Sequence, residues 1–173
     1  MFPFPKIGQY RGTVRAASQK GRPTLRFLGT PKLHGTNSAV VRMPDGTLRF
    51  QSRNRELTRE SDHFGFVSHM HETVGVERLR DLIDAAVGRH PVPVVVYGEW
   101  CGEGVQKGVA ISHLEPMFAV FCVRIGVEED DTTWPPLQQF AALQLNAVRI
   151  FNVLQFATYT VDIDFTRPDH ARE

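Results

Sequence analysis

The chain has 173 residues, 42% hydrophobic and 23% charged, which is enough for one globular domain with a real core. Its formal net charge of +1 excludes a global basic field, so any nucleic-acid contact must come from a local patch such as Arg49, Arg53, Arg55 and Arg59. The opening Met1-Phe2-Pro3-Phe4-Pro5-Lys6 lacks the apolar core of a secretory signal and no apolar run is long enough to span a bilayer, so a cytoplasmic protein without a membrane partner is expected.

In chain order, Thr24 to Leu28 alternates weakly, as a strand does, and leads into Thr30-Pro31-Lys32-Leu33-His34-Gly35-Thr36-Asn37. Ser38 to Arg42 and Thr47 to Ser52 flank Met43-Pro44-Asp45-Gly46, whose Pro-Asp-Gly is turn chemistry, so a β-hairpin follows the lysine. Val76, Leu79, Leu82, Ile83, Ala86 and Val87 follow helical spacing, and Gly88 with Pro91 supplies the stop. Val92 and Val94 to Val96 then open a strand running into Tyr97-Gly98-Glu99. On it Tyr97, Glu99 and Cys101 share one face while Val96, Gly98 and Trp100 share the other.

Gly102-Glu103-Gly104 reads as a flexible loop, Met117 to Ile125 as a strand, and Glu128 to Asp131 as an acidic turn. Thr133, Pro135 and Pro136 open a predicted helix through Leu145, and strands are predicted from Arg149 to Val153 and from Thr158 to Phe165. Hairpins alternating with two or three helices, with no repeat or linker, predict an α+β fold and a single domain over 1–173. Cys101 and Cys122 have no CxxC spacing and are expected as reduced thiols. Ser68-His69-Met70-His71 with His63 reads as exposed histidines rather than a metal site, because histidines two apart on a helix point in different directions. Asp162-Ile163-Asp164 reads as the solvent face of an alternating strand.

The segment around Lys32 carries the most chemistry. A lysine amine has an ordinary pKa of about 10.4, so a nucleophilic role requires surroundings that favour its neutral form. Gly35 lets the backbone approach a nucleotide closely, while His34, Thr36 and Asn37 supply hydrogen-bonding groups. By spacing alone, a strand-turn-strand with a solvated lysine is the favoured reading.

Lys32-Leu33-His34-Gly35-Thr36-Asn37 is followed by Gln51-Ser52-Arg53-Asn54-Arg55, then by Tyr97 to Lys107, then by Met117-Phe118-Ala119-Val120-Phe121. In that order, over roughly residues 2 to 165, these four blocks resemble the ATP-dependent RNA ligase family, and most the phage-type branch that seals nicks in duplex RNA. DNA ligases and capping enzymes of the same superfamily usually carry an acidic residue where His34 stands. The resemblance implies an α+β nucleotidyltransferase core, ATP-grasp-like, of antiparallel sheets with flanking helices. It implies ATP and magnesium as cofactors and RNA ends or nicked duplex RNA as partners. It implies that Lys32 attacks the α-phosphorus of ATP to form lysine-AMP, that the AMP passes to an RNA 5′-phosphate, and that a 3′-hydroxyl then displaces it. Leu33 and Gly35 would contribute to the nucleotide pocket, His34 and Asn37 would line its phosphate side, Arg53 and Glu99 would hold the sugar and phosphate region, and Phe121 would stack on adenine; metal ligands stay unassigned.

Two positions depart from the family pattern: Pro31 stands where an acidic residue often precedes the lysine, and Cys122 where Asp follows the phenylalanine. The family's later EG-containing strand and KxK lysine pair have no counterpart after Phe165. The expectation is a C-terminally incomplete, truncated domain with weak autoadenylylation by this chain alone, and a sheet edge that invites a partner chain or self-association. The alternative is a non-catalytic nucleotide- or RNA-end-binding remnant, or half of a split ligase.

Overall fold

The computed structural model describes residues 1–6, 12, 15, 16, 20, 21, 24–133, 148–153 and 158–164. The chain folds as two compact units: Met1–Pro5 with Lys32–Gln155, and Lys6–Pro31 with Phe156–Glu173. The protein is α+β and mostly sheet. Among the described residues no helix is long and apolar enough to cross a membrane.

The larger unit is built on a six-stranded sheet. Its strands are β2 (Thr36–Arg42), β3 (Leu48–Ser52), β4 (Glu56–Leu57), β5 (Val94–Cys101), β6 (Met117–Ile125) and β7 (Ile150–Asn152). Their order is β4-β3-β2-β5-β6-β7. All pairs are antiparallel except β6 with β7, which is parallel. The hairpin forms where Pro-Asp-Gly predicts it: Met43 N–H donates to the Thr47 carbonyl at 2.8 Å, and the Asp45 carboxylate accepts from the Thr47 N–H and hydroxyl at 2.9 and 2.7 Å.

One face of this sheet carries the larger core. Val40, Phe50, Val94, Val96, Trp100, Phe118 and Val120 meet Phe66, Val67, Met70, Val74, Leu79 and Ile83. The latter come from α1 (Phe66–His69), a π-helical turn (Met70–Val74) and α2 (Val76–Val87). In α2, Leu79 and Ile83 lie four residues apart and are fully buried, as helical spacing requires. The helix stops at Gly88, at φ 83°, whose N–H still donates to the Asp84 carbonyl. Asp84 also pins α2 to β2. Its carboxylate lies 3.1 Å from Arg42 Nε, with side chains 10% and 5% exposed, so removing either partner would strand a buried charge at a cost of about 3–5 kcal/mol.

On the other face, Ala39, Val41, Val95, Tyr97, Cys122 and Val127 form a smaller core with Phe2, and Phe4 and Phe121 pack against it. Gln51 clamps the first residues over this face. Its Oε1 accepts from the Phe2 N–H at 3.0 Å and its Nε2 donates to the Phe2 carbonyl at 2.6 Å. Cys101 and Cys122 are free and buried, and burial pushes their thiols up to about 11 and about 12.

In the smaller unit, β1 (Thr24–Gly29) pairs antiparallel with β8 (Tyr159–Asp164), from Thr24 opposite Asp164 to Gly29 opposite Tyr159. Arg26 binds Asp162 in a two-pronged ion pair, at 2.8 and 3.0 Å. Asp162 is exposed, but so is its neighbour Val161, and Asp164 is part-buried like Ile163, so β8 lacks the alternation expected of Asp162-Ile163-Asp164. The helix predicted from Thr133 through Leu145 lies outside the described residues, apart from Thr133 itself.

The histidines correct the sequence reading. His63, His69 and His71 are part-buried rather than exposed. The His69 ring lies 4.9 Å from that of Trp100 with Nε2 buried and unpartnered among the described residues, and His71 lies 5.5 Å from Phe50. Burial, then the nearby Arg149 charge, holds His69 below the ordinary histidine range. The pattern missed this because α1 and the π-helical turn direct His69 and His71 toward core aromatic rings, where an imidazole packs like any other ring.

Candidate functional site

The β2–β5 ladder assembles the site. Thr36 pairs with Trp100 and Asn37 with Glu99, so the residues leading into β2 lie against the last residues of β5. Directly opposed residues share a face, so Asn37 and Glu99 stand together, with Ala119 of β6 opposite Glu99. The Gly35 N–H donates to Glu99 Oε1 at 3.0 Å. A Cβ at position 35 would lie 2.1 Å from the Trp100 carbonyl oxygen and 2.6 Å from Cys101 Cβ, so only glycine brings the backbone this close to β5. Gln106, from the segment after β5, donates its Nε2 to the Gly35 carbonyl at 3.3 Å. The peptide groups on both sides of Gly35 are thus held by side chains 64 and 71 residues further along the chain.

Around this anchor Lys32 and His34 are exposed, and Leu33 and Asn37 are part-buried. Burial pushes the Glu99 carboxyl above the ordinary glutamate range. The Gly35 N–H and the positive charges of Lys32 and His34 pull the other way and offset part of that rise. Phe121 reaches the same face through a β-bulge: Gly98 pairs with Val120 but Tyr97 with Cys122, leaving Phe121 as the extra residue. Its ring is met edge-on by Phe4, with centroids 5.1 Å apart and planes at 77°, and Phe4 meets Tyr97 in the same way.

Arg53 lies just beyond β3. Ser52 pairs with Ser38, so Arg53 stands at the end of the sheet where β2 begins. It is exposed and makes no hydrogen bond or ion pair among the described residues. Its neighbours in the proposed basic patch are engaged. Arg49 pairs with Glu129, Arg59 pairs with Glu72 at 2.7 Å, and Arg55 donates to Ser61 and to the Asp62 carbonyl. The four arginines therefore do not act as one free patch.

Three contacts at this end of the sheet have no signature in sequence spacing. Thr36 Oγ1 lies 3.2 Å from His63 Nε2, Trp100 Nε1 donates to the Phe64 carbonyl at 2.8 Å, and Phe4 covers Phe121. Each joins segments tens of residues apart, where no local period reports proximity. A cleft of about 550 Å³ lined by Arg42, Arg80, Asp84 and Arg89 lies at the opposite end of β2 and belongs to the Arg42–Asp84 network.

Magnesium takes several oxygen ligands. Among the described residues no three His, Cys, Asp or Glu side chains cluster.

A family model described as RNA ligase matches residues 25–170. A solved structure described as "Pmar-Lig_Pre." aligns over 91% of this chain at 12% identity, with a TM-score of 0.42; the chain spans 36% of that structure's length. No curated protein matches the chain.

Proposed function

The chain belongs to the RNA ligase family, and we propose that Lys32 is the nucleophile of an ATP-dependent adenylyl transfer that prepares RNA ends for sealing. The observation that carries this reading is the double hold on Gly35 by Glu99 and Gln106, which fixes the lysine-bearing segment against β5. Displacement at phosphorus depends mostly on alignment, and a segment held on both sides of one peptide keeps its nucleophile in place without help from a bound ligand.

In the first step the Lys32 amine, once neutral, attacks the α-phosphorus of ATP. The new N–P bond forms as the bond to pyrophosphate breaks. The AMP then passes to an RNA 5′-phosphate, freeing the lysine, and a 3′-hydroxyl displaces AMP to make the phosphodiester. Exposure of Lys32 leaves it open to ATP, and His34 and Arg53 offer donors or charge for phosphate oxygens. Glu99 binds the sugar, Asn37 beside it on the same face lines the phosphate side, and Phe121 takes the adenine, with Phe4 against its ring.

The test is incubation with magnesium and ATP radiolabelled at the α-phosphate, alongside Lys32→Ala. Label that survives denaturation is expected on the parent and not on the variant. An unlabelled parent that still binds ATP would overturn the catalytic reading in favour of a nucleotide-binding module.

A further inference from the structure

We infer that the cleft of about 550 Å³ beside the β2–β3 turn and α2 is a second binding site, one that takes a phosphate group carried by a small molecule. It stands independently of the Lys32 reading. The volume falls within the range of about 300–1,000 Å³ usual for small-molecule sites. Three guanidinium groups line the cleft: Arg42 from the last position of β2, Arg80 from α2, and Arg89 from just beyond Gly88. The buried member is Arg42, 5% exposed. Its Nε lies 3.1 Å from Asp84 and its Nη1 donates to the His90 carbonyl at 2.7 Å, so two corners of a planar group are fixed and the direction of the third, Nη2, is fixed with them. Pinning α2 to β2 uses Nε and Nη1 alone. Nη2 has no partner among the described residues and, unlike Nε, is not among the sealed polar atoms, which leaves it to the cleft.

The carboxylates of the cleft do not use up its donors. Asp84 meets Arg42 with one oxygen and Arg89 with the other, at 3.1 and 3.3 Å. Asp45 is turned to Thr47, whose N–H and hydroxyl it accepts. Arg80 lies along the hairpin turn, since a Cβ at Gly46 would come within 3.8 Å of its Cδ, and among the described residues it pairs only with its exposed neighbour Asp81, a contact that holds it weakly. One rigid guanidinium nitrogen flanked by two mobile, partly free guanidinium groups is equipment for a multiply charged oxyanion, and guanidinium forks match phosphate oxygens in pairs. RNA held at Lys32 fits this cleft less well than a small phosphate ester does. Arg42 shares its face of β2 with Val40 and the larger core, whereas Asn37 shares the other face with Ala39 and Val41, at the opposite end of the strand. A nucleic acid engaged at Lys32 would have to turn round the sheet to reach it.

The test is nuclear magnetic resonance of the isotopically labelled full chain, titrated separately with AMP, with inorganic phosphate and with an unbroken RNA duplex. The amides of Gly46 and Gly88 report on the cleft, and that of Gly35 on the Lys32 site. An Arg80→Gln, Arg89→Gln double variant, which keeps the Arg42–Asp84 pair, is titrated alongside with its melting temperature measured. In the parent, AMP or phosphate is expected to shift the Gly46 and Gly88 amides to saturation. In the double variant, binding read at those amides is expected to weaken by about tenfold or more while the Gly35 response stays as in the parent. Tighter binding of AMP than of phosphate would make the ligand a nucleoside phosphate, and equal binding would make it free phosphate. Should the double variant melt lower than the parent, Arg80→Gln alone carries the comparison, because it leaves Asp84 with both its partners. The inference is overturned if neither small molecule moves Gly46 and Gly88, if the variants bind as the parent does, or if those amides answer to the RNA duplex alone, which would assign the cleft to nucleic acid.

Discussion

Glu99 shows how a single carboxyl is held in tension. Burial favours its protonated form, while the Gly35 N–H and the charges of Lys32 and His34 favour the anion, and burial wins. A carboxyl whose folded-state pKa lies above its unfolded value binds its proton more tightly when folded. Its contribution to stability is therefore fully present below the ordinary glutamate value of 4.5 and is lost as the pH rises through the raised one. Glu99→Gln keeps an oxygen for the Gly35 N–H and removes the titration. The variant is expected to gain melting temperature relative to the parent as the pH rises above the ordinary glutamate value of 4.5, and to lose covalent labelling by ATP. Parallel melting curves across that range check it; a constant difference in melting temperature would mean that Glu99 does not titrate against folding.

Among the elements, the bulge in β6 sets which residues face the site. With Tyr97 opposite Cys122 and Gly98 opposite Val120, every β6 residue except Phe121 already lies in a regular alternating register. Deleting Phe121 should leave Val120 in the larger core and Cys122 in the smaller one, whereas deleting Ala119 should turn part of β6 over. Far-ultraviolet circular dichroism and melting of the two deletions are expected to show a folded protein for the first and a severely destabilised one for the second. The bulge also marks a limit of sequence reading. The span Met117 to Ile125 and the facing of Tyr97, Glu99 and Cys101 follow from β-branched and apolar runs, which are local signals, as do the Pro-Asp-Gly hairpin and α2. An inserted residue in a strand has no local signature. The two-residue β4, the four-residue α1 and the π-helical turn fall below the length at which periodicity can be recognised, and the last two carry the mis-read His69 and His71. In the candidate site, the lysine block and Glu99 are legible as motifs. The clamp on Gly35, the Thr36–His63 contact and the cover of Phe4 over Phe121 depend on residues that meet only through the fold.

For the molecule as a whole, stability is unevenly shared. β2, β5 and β6 are central, largely buried and packed under cores on both faces, while β1 and β8 form a two-stranded ladder in which β8 is mostly exposed. Among the described residues no third strand joins them, and two strands alone are marginal. Hydrogen–deuterium exchange read by mass spectrometry is expected to find the slowest amides in β2, β5 and β6, and faster exchange throughout β1 and β8; equal protection would show that the chain opens as one cooperative body. The pairing of β1 with β8 has a further consequence for a chain emerging from a ribosome. Thr24 waits for Asp164, so β1, synthesised before β2, β5 and β6, finds its mate only after all three have been translated. Nascent chains stalled short of β8 would carry β1 as an unmatched strand, available to a chaperone or to a neighbouring nascent chain on the same polysome.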